Sequence, residues 1–253
     1  MSRILSIGAG VMGTAITIPA VTNGHEAKIV GTSLDEEIID SINKNSVHPK
    51  LNVQLTNTSA LLFNQMTQED IDNSDVIVIG INSSGIDWFI ELIKNFKVVN
   101  KKFLIVTKGL YMNEKKELDI FPNKIKNEIK QDLSLTAVTG PCKAIELAKK
   151  NLTNICFVNS DLDTAINLAN LFKNDYYVIK SQSDLLGAEL CAALKNVYAI
   201  AVGYSQTYFS KEEKIFNPES ALFSHCVNEM SHLVTLMGGL PETVFSLSGL
   251  GDL

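Results

Sequence analysis

The sequence predicts an α/β protein, a doubly wound and mostly parallel sheet followed by an all-helical second part. Three observations predict it. Short apolar runs alternate with helix-like stretches as far as residue 180, the pattern of parallel strands joined by helical crossovers. A glycine-rich turn follows the first of these runs at once. After residue 180 the strand-like runs stop and helix follows helix, which places the boundary near Lys180 and divides the chain into 1–180 and 181–253.

Composition limits what such a protein can do. Its 253 residues, 45% of them hydrophobic, supply one large core or two modest ones. The 28 acidic against 22 basic residues give a net charge of −6, the opposite of the basic surface that binding a nucleic-acid backbone needs. A small phosphorylated substrate is compatible with that charge, since it asks only for a few lysines focused in one cleft. Cys142, Cys156, Cys191 and Cys226 form no C-x-x-C pair and sit in apolar or helical contexts, as free thiols of a reducing compartment do. The first residues hold no signal-peptide core, and nowhere do about 18 apolar residues run uninterrupted. A cytoplasmic protein with neither nucleic acid nor membrane as partner is the expectation.

The elements follow in order. Residues 3–7 form the first strand, and Gly8-Ala9-Gly10-Val11-Met12-Gly13 leads from it into a helix that ends at Asn23-Gly24. This strand, glycine turn and helix are the arrangement of a dinucleotide site of Rossmann type. Pro19 should kink or shorten the helix. A second strand, 27–30, ends in Gly31-Thr32-Ser33, where an acid that would hold the adenosine ribose is missing. Asp35 belongs instead to the next helix start, with Ser33 as its cap and Glu36 as the partner in a capping box. No arginine marks a 2′-phosphate either, which leaves NAD and NADP both open.

Residues 75–81 form a strand ending in Asn82-Ser83-Ser84-Gly85, and 101–107 a strand that delivers Lys108 at its carboxyl end, where open parallel sheets bind ligands. Strands at 133–138, 155–158 and 176–179 come next, the last two bracketing a helix at 161–173. Between 188 and 202 only Glu189, Lys195 and Asn196 are strongly polar, so this helix belongs inside the protein. Lys195 then needs a counter-charge. Its helical neighbours Cys191, Ala192, Tyr198 and Ala199 offer none, so the partner must come from elsewhere in the fold or from a ligand. Asn217-Pro218-Glu219 opens a further helix with a cap, a proline and an acid. Leu222, Cys226, Met230, Val234 and Met237 are its core stripe, while His225, Glu229 and His232 share a flank that reads as a polar face rather than a metal site.

The stretch from Glu189 to Gly203, with its Leu194-Lys195-Asn196-Val197 centre, resembles the catalytic-lysine helix of NAD-dependent glycerol-3-phosphate dehydrogenases. Thr107-Lys108-Gly109, Thr139-Gly140-Pro141-Cys142-Lys143-Ala144-Ile145-Glu146 and Gly249-Leu250-Gly251-Asp252-Leu253 resemble further motifs of that family, in the same order. The resemblance implies hydride transfer between NAD, with NADP not excluded, and dihydroxyacetone phosphate or sn-glycerol 3-phosphate. It implies Lys195 as proton donor, Asp252 as its partner, Lys108 near substrate and Asn196 on substrate. Gly8, Ala9, Gly10, Val11, Met12, Gly13, Asn82 and Ser83 are the implied cofactor contacts. A homodimer and a place in glycerol-3-phosphate and phospholipid metabolism are implied as well.

Four positions depart from the family pattern. Asn82 stands where a proline is usual, Lys143 where a large apolar residue is, His225 where an arginine is, and Glu219 where a lysine is. Lys143 is expected to be exposed, unless an anion compensates it. The family continues past Asp252 with more helices and an Arg-Asn pair that binds substrate phosphate, so the 253 residues are expected to bind cofactor and to turn over poorly or not at all. Two other readings stand beside this one: a related two-domain reductase of another small hydroxy or keto acid, and a nucleotide-binding protein without turnover.

Overall fold

The computed structural model describes residues 1–209 and 215–253. The first half of the chain runs β1 (Arg3–Ile7), α1 (Val11–Ala15), α2 (Thr17–Thr22), β2 (Glu26–Gly31), α3 (Glu36–Asn45), a hairpin of β3 (Val47–His48) and β4 (Val53–Gln54), β5 (Thr58–Leu62), α4 (Gln68–Asp72), β6 (Val76–Ile79) and α5 (Ile86–Lys94). It continues with β7 (Lys102–Ile105), a hairpin of β8 (Leu110–Met112) and β9 (Leu118–Ile120), α6 (Phe121–Ile129), β10 (Ser134–Thr139), α7 (Ala144–Ala148), β11 (Thr153–Val158), α8 (Leu162–Phe172) and β12 (Tyr177–Gln182). The helices α9 (Leu185–Phe209), α10 (Asn217–Leu236) and α11 (Pro241–Val244) complete it.

Eight strands form one sheet in the order β12-β11-β10-β7-β6-β1-β2-β5. Every neighbouring pair is parallel except β10 and β11, so β11 and β12 run against the rest. The central strands are apolar on both faces, as parallel strands covered by helices must be: Val76–Ile79 is buried throughout. One core gathers Leu5, Ile7, Ile77, Phe89, Phe103 and Ile125 on one face, and another gathers Ile4, Val78, Leu104, Phe157 and Phe172 on the other.

Pro19 acts as its chemistry predicts. The helix after the glycine turn breaks into α1 and α2 at Ile16, near the Ala15 carbonyl that the proline ring would meet in a continuous helix. The cap of α3 differs from expectation. Asp35, not Ser33, is its N-cap, and the Asp35 carboxylate turns back to accept from the Thr32 N–H and the Thr32 hydroxyl, both at 2.8 Å. The start of α10 lies one residue earlier than expected, with Phe216 as cap and Asn217 and Pro218 as its first two residues.

The first half of α9 packs on the sheet, where Leu185 and Ala188 join the core, and against α10 through Leu190, Cys191 and Tyr198. Its second half corrects the expectation of burial on every side: Val197, Ile200 and Tyr204 are exposed, because the helix runs on past the sheet with α10 beside it. Residues 185–208 have the length and a mean hydropathy, 1.5, sufficient to cross a membrane. Within that stretch Glu189 is buried and Lys195 is engaged by an acid of the same folded unit. On α10, Cys226, Val227, Met230 and Val234 are buried, with Leu222 and Met237 packed beside them. His225, Glu229 and His232 lie on its exposed face, and among the described residues no three His, Cys, Asp or Glu side chains converge on a metal position.

Candidate active site

The glycine turn is built by close approach. A Cβ on Gly8, whose φ is +116°, would stand 2.4 Å from the Gly80 carbonyl oxygen, and one on Gly13 2.3 Å from the Gly8 oxygen. Ser6 pins the turn by donating to the Gly13 carbonyl at 2.7 Å. Gly10 is different. A Cβ there would meet nothing within 4 Å, so the turn leaves open the space that a pyrophosphate would fill. A cavity of about 460 Å³ adjoins it, lined by Gly8, Gly10, Thr32, Ser33, Asn82 and Trp88 among others. These residues fit a dinucleotide.

The buried His48 supports this turn, a role that its sequence position did not disclose. Its Nδ1 accepts from the Leu51 N–H, which leaves Nε2 to donate to the Ala9 carbonyl at 3.0 Å. Burial lowers its pKa, so the ring is neutral, as that pattern requires. Asn82 caps the turn after β6, accepting from the Gly85 N–H and the Ser84 hydroxyl, and Ser83 is exposed in the same turn. Ala9 is wholly buried, and Val11 and Met12 begin α1 at the cleft.

Strand order brings the second group of residues to the same edge. The sequence β1, β6, β7 places the carboxyl end of β7 two strands from the glycine turn, about 10 Å at the usual strand spacing. Thr107 ties the ends of β6 and β7 together by donating to the Ile81 carbonyl at 2.6 Å. Lys108 is next in the chain. Its ammonium lies 3.0 Å from Asp252 Oδ2, and the ammonium of Lys195 lies 2.6 Å from the same oxygen. The Asp252 side chain is 5% exposed, whereas Lys108 and Lys195 are 28% and 18% exposed. The counter-charge required by Lys195 is therefore supplied by the fold.

Burial pushes the Lys195 pKa down, the Asp252 carboxylate opposes that shift, and the neighbouring Lys108 charge adds to it. An ammonium so placed is a better proton donor than a free lysine. Cys142 is half-buried nearby, and burial raises its thiol to about 11, which keeps it protonated and inert. Asn196, one residue beyond Lys195, is exposed. Lys143 carries an exposed side chain, with Glu146 at 3.5 Å. The loop carrying Asp252 is fastened by Ser248, whose hydroxyl meets that of Thr139 at 2.7 Å.

One ionisable group in this region was given no role by the sequence. Glu189, on α9, is 1% exposed, and its Oε2 makes no hydrogen bond among the described residues. Burial raises its pKa to about 8, against the opposing pull of Lys108.

A dinucleotide-binding sheet with a shared-carboxylate lysine pair at its carboxyl edge, completed by a helical segment, defines a nicotinamide-dependent dehydrogenase of two-part build. Comparison with known proteins makes the class specific. The profile described as NAD-dependent glycerol-3-phosphate dehydrogenase N-terminus matches residues 3–165, and the corresponding C-terminus profile matches 184–253. The NADP(+)-dependent glycerol-3-phosphate dehydrogenase of Archaeoglobus fulgidus is 32% identical over 98% of this chain and 73% of its own length. A glycerol-3-phosphate dehydrogenase [NAD(P)+] of Bacillus anthracis is 26% identical over 100% of the chain and 72% of its own. The crystal structure of the Coxiella burnetii glycerol-3-phosphate dehydrogenase shares the fold, with a TM-score of 0.84 at 23% identity, over 100% of this chain and 74% of that one. The chain belongs to the NAD-dependent glycerol-3-phosphate dehydrogenase family.

Proposed function

We propose that the protein is an oxidoreductase that interconverts dihydroxyacetone phosphate and sn-glycerol 3-phosphate with NAD(H) or NADP(H). The observation that carries this reading is the meeting of Lys108 and Lys195 on one oxygen of Asp252. When bound, the nicotinamide supplies or takes the hydride. The chain's part is the proton and the phosphate. Lys195 Nζ gives its proton to the keto oxygen as negative charge develops there, and its lowered pKa favours that transfer. Asp252 holds both ammoniums in place, and Lys108, with one positive charge left over from the pair, attracts the phosphorylated substrate. Asn196 contacts substrate beside them. Gly8 to Gly13, with Asn82 and Ser83, hold the dinucleotide on residues 1–180, and 181–253 close the cleft. On the same reading the protein is a cytoplasmic homodimer that serves glycerol-3-phosphate and phospholipid metabolism, in keeping with its four free cysteines.

The test is the loss of reduced-nicotinamide absorbance with dihydroxyacetone phosphate, set against a panel of small keto acids. Turnover confined to dihydroxyacetone phosphate supports the reading. Preference for a keto acid, or cofactor binding with no turnover on any of them, overturns it.

A further inference from the structure

Two lysines and one aspartate leave the site with a surplus of one positive charge. A buried fourth group bears on that surplus. Glu189 lies on α9 between Leu185 and Leu186 on one side and Ala192 and Ala193 on the other, all apolar, at helical contact spacing. Its Oε2 has no hydrogen-bond partner among the described residues, and the charge that acts on it is the Lys108 ammonium. That ammonium is already committed to Asp252. A carboxylate in such surroundings is costly, and it becomes the neutral acid instead.

We infer that Glu189 is a positioning residue for the reaction: a buried, unpaired carboxyl within the field of Lys108 that leaves the lysine pair its surplus charge while it keeps its proton, and cancels that surplus when it loses it. The inference rests on the proposed dehydrogenase function. The groups on the elements packed against α9 are accounted for. Asp119, on β9, accepts from the Ile120 N–H, Asn123 and the Tyr111 hydroxyl. On α10, Glu219 accepts from Gln206, and Glu229 acts on Tyr198 and Cys226. His225 and His232 are exposed on the same helix, Glu242 stands on α11, and β10 carries no charged residue. On α9 itself the other titratable groups before Tyr198 are Cys191, whose burial raises it to about 12, and Lys195.

The substrate phosphate is a dianion above neutral pH, and its attraction to the site depends on net charge. With Glu189 protonated the site offers a net positive charge, and with it ionised the site is neutral. The Michaelis constant for dihydroxyacetone phosphate should therefore rise above about pH 8, by up to about tenfold per pH unit, the slope of one proton. Glu189→Gln keeps the shape of the neutral acid and cannot ionise.

The experiment measures KM and kcat for dihydroxyacetone phosphate at saturating reduced cofactor from pH 6 to 10, in the wild type and Glu189→Gln. The expected result is equal KM near pH 7, a rise centred near pH 8 in the wild type, and no such rise in the variant. The same rise in both, or a KM already raised in Glu189→Gln at pH 7, overturns the inference. A second measurement needs neither turnover nor the variant. Infrared spectra of wild-type protein with isotope-labelled glutamate carboxyls should show one protonated glutamic acid band at pH 7 that fades near pH 8, and absence of that band overturns the inference whatever the protein acts on. If dihydroxyacetone phosphate is not reduced, the function fails separately, and calorimetric binding of inorganic phosphate reads the charge. Affinity that falls across pH 8 supports the inference, and unchanged affinity overturns it.

Discussion

Lys195 Nζ and Asp252 Oδ2 lie 2.6 Å apart, and the contact joins the middle of the longest helix to a turn 57 positions later in the chain. Asp252→Asn preserves the volume of the side chain and removes its charge, so two neighbouring ammoniums lose the carboxylate that holds them. The expected outcome is a fall in kcat of about 100-fold or more, the scale of a lost general acid, with the fold intact by circular dichroism. An ordinary kcat in this variant would remove Lys195 from the proton-transfer role.

The second and third glycines of the turn should separate folding from binding. A methyl on Gly10 meets no protein atom and its φ of −64° suits alanine, so Gly10→Ala should keep its melting temperature and lose cofactor affinity. Gly13→Ala forces a carbon against the Gly8 oxygen and should unfold at lower temperature. Calorimetric melting and quenching of Trp88, the single tryptophan and part of the same cavity wall, read the two effects. Equal affinity in wild type and Gly10→Ala would place the pyrophosphate elsewhere.

Asp184 fastens the start of α9 to the start of α11. Its Oδ2 accepts from the Leu240 N–H at 2.8 Å and the Thr243 hydroxyl at 2.5 Å, and its Oδ1 from the Gly187 N–H at 2.9 Å. Asp184→Ala leaves three donors without their partner and should cost about 2–4 kcal/mol in chemical denaturation. A change under about 0.5 kcal/mol would mean that water replaces all three bonds.

Stability should also depend on Glu189 through pH. In the unfolded chain the carboxyl titrates near 4.5, and in the folded one near about 8. Between those values the unfolded state binds fewer protons, so stability falls as pH rises, by up to about 1.4 kcal/mol per unit, and levels off above about 8. Urea unfolding of the wild type and Glu189→Gln at pH 5, 6.5 and 8 isolates this group, because the other titrations are common to both. Parallel curves would show a carboxyl that is ionised when folded.

The parallel sheet was legible because its central strands are continuous apolar runs and because Gly8, Gly10 and Gly13 sit where a strand meets a helix. Lys195 was legible through its incompatibility with the apolar helix around it. Its partner Asp252 was reached only through family resemblance, since nothing in local spacing joins residues so far apart. His48 and the hairpins flanking it and Leu110 left no signal, because two- and three-residue strands are too short for a period to register. Glu189 was visible as a polar residue in an apolar helix, but its isolation is a property of the packed structure. The exposed outer half of α9 is hidden from the sequence for a related reason: an apolar sequence records what a helix is made of, not how far its neighbours extend.

The reversal of β11 and β12 constrains the length of the connection to the catalytic lysine. A chain leaving β12 travels away from the edge that carries Lys108, and it must come back to bring a side chain there. The ten helical steps from Leu185 to Lys195 make that return, roughly 15 Å at the rise of an α-helix. This part of α9 is a spacer of fixed span whose end must also face the right way. Substitutions within it can be absorbed by packing, but inserting or removing one residue turns Lys195 through about 100° and takes it off Asp252. The number of residues in this segment is under tighter constraint than their identity.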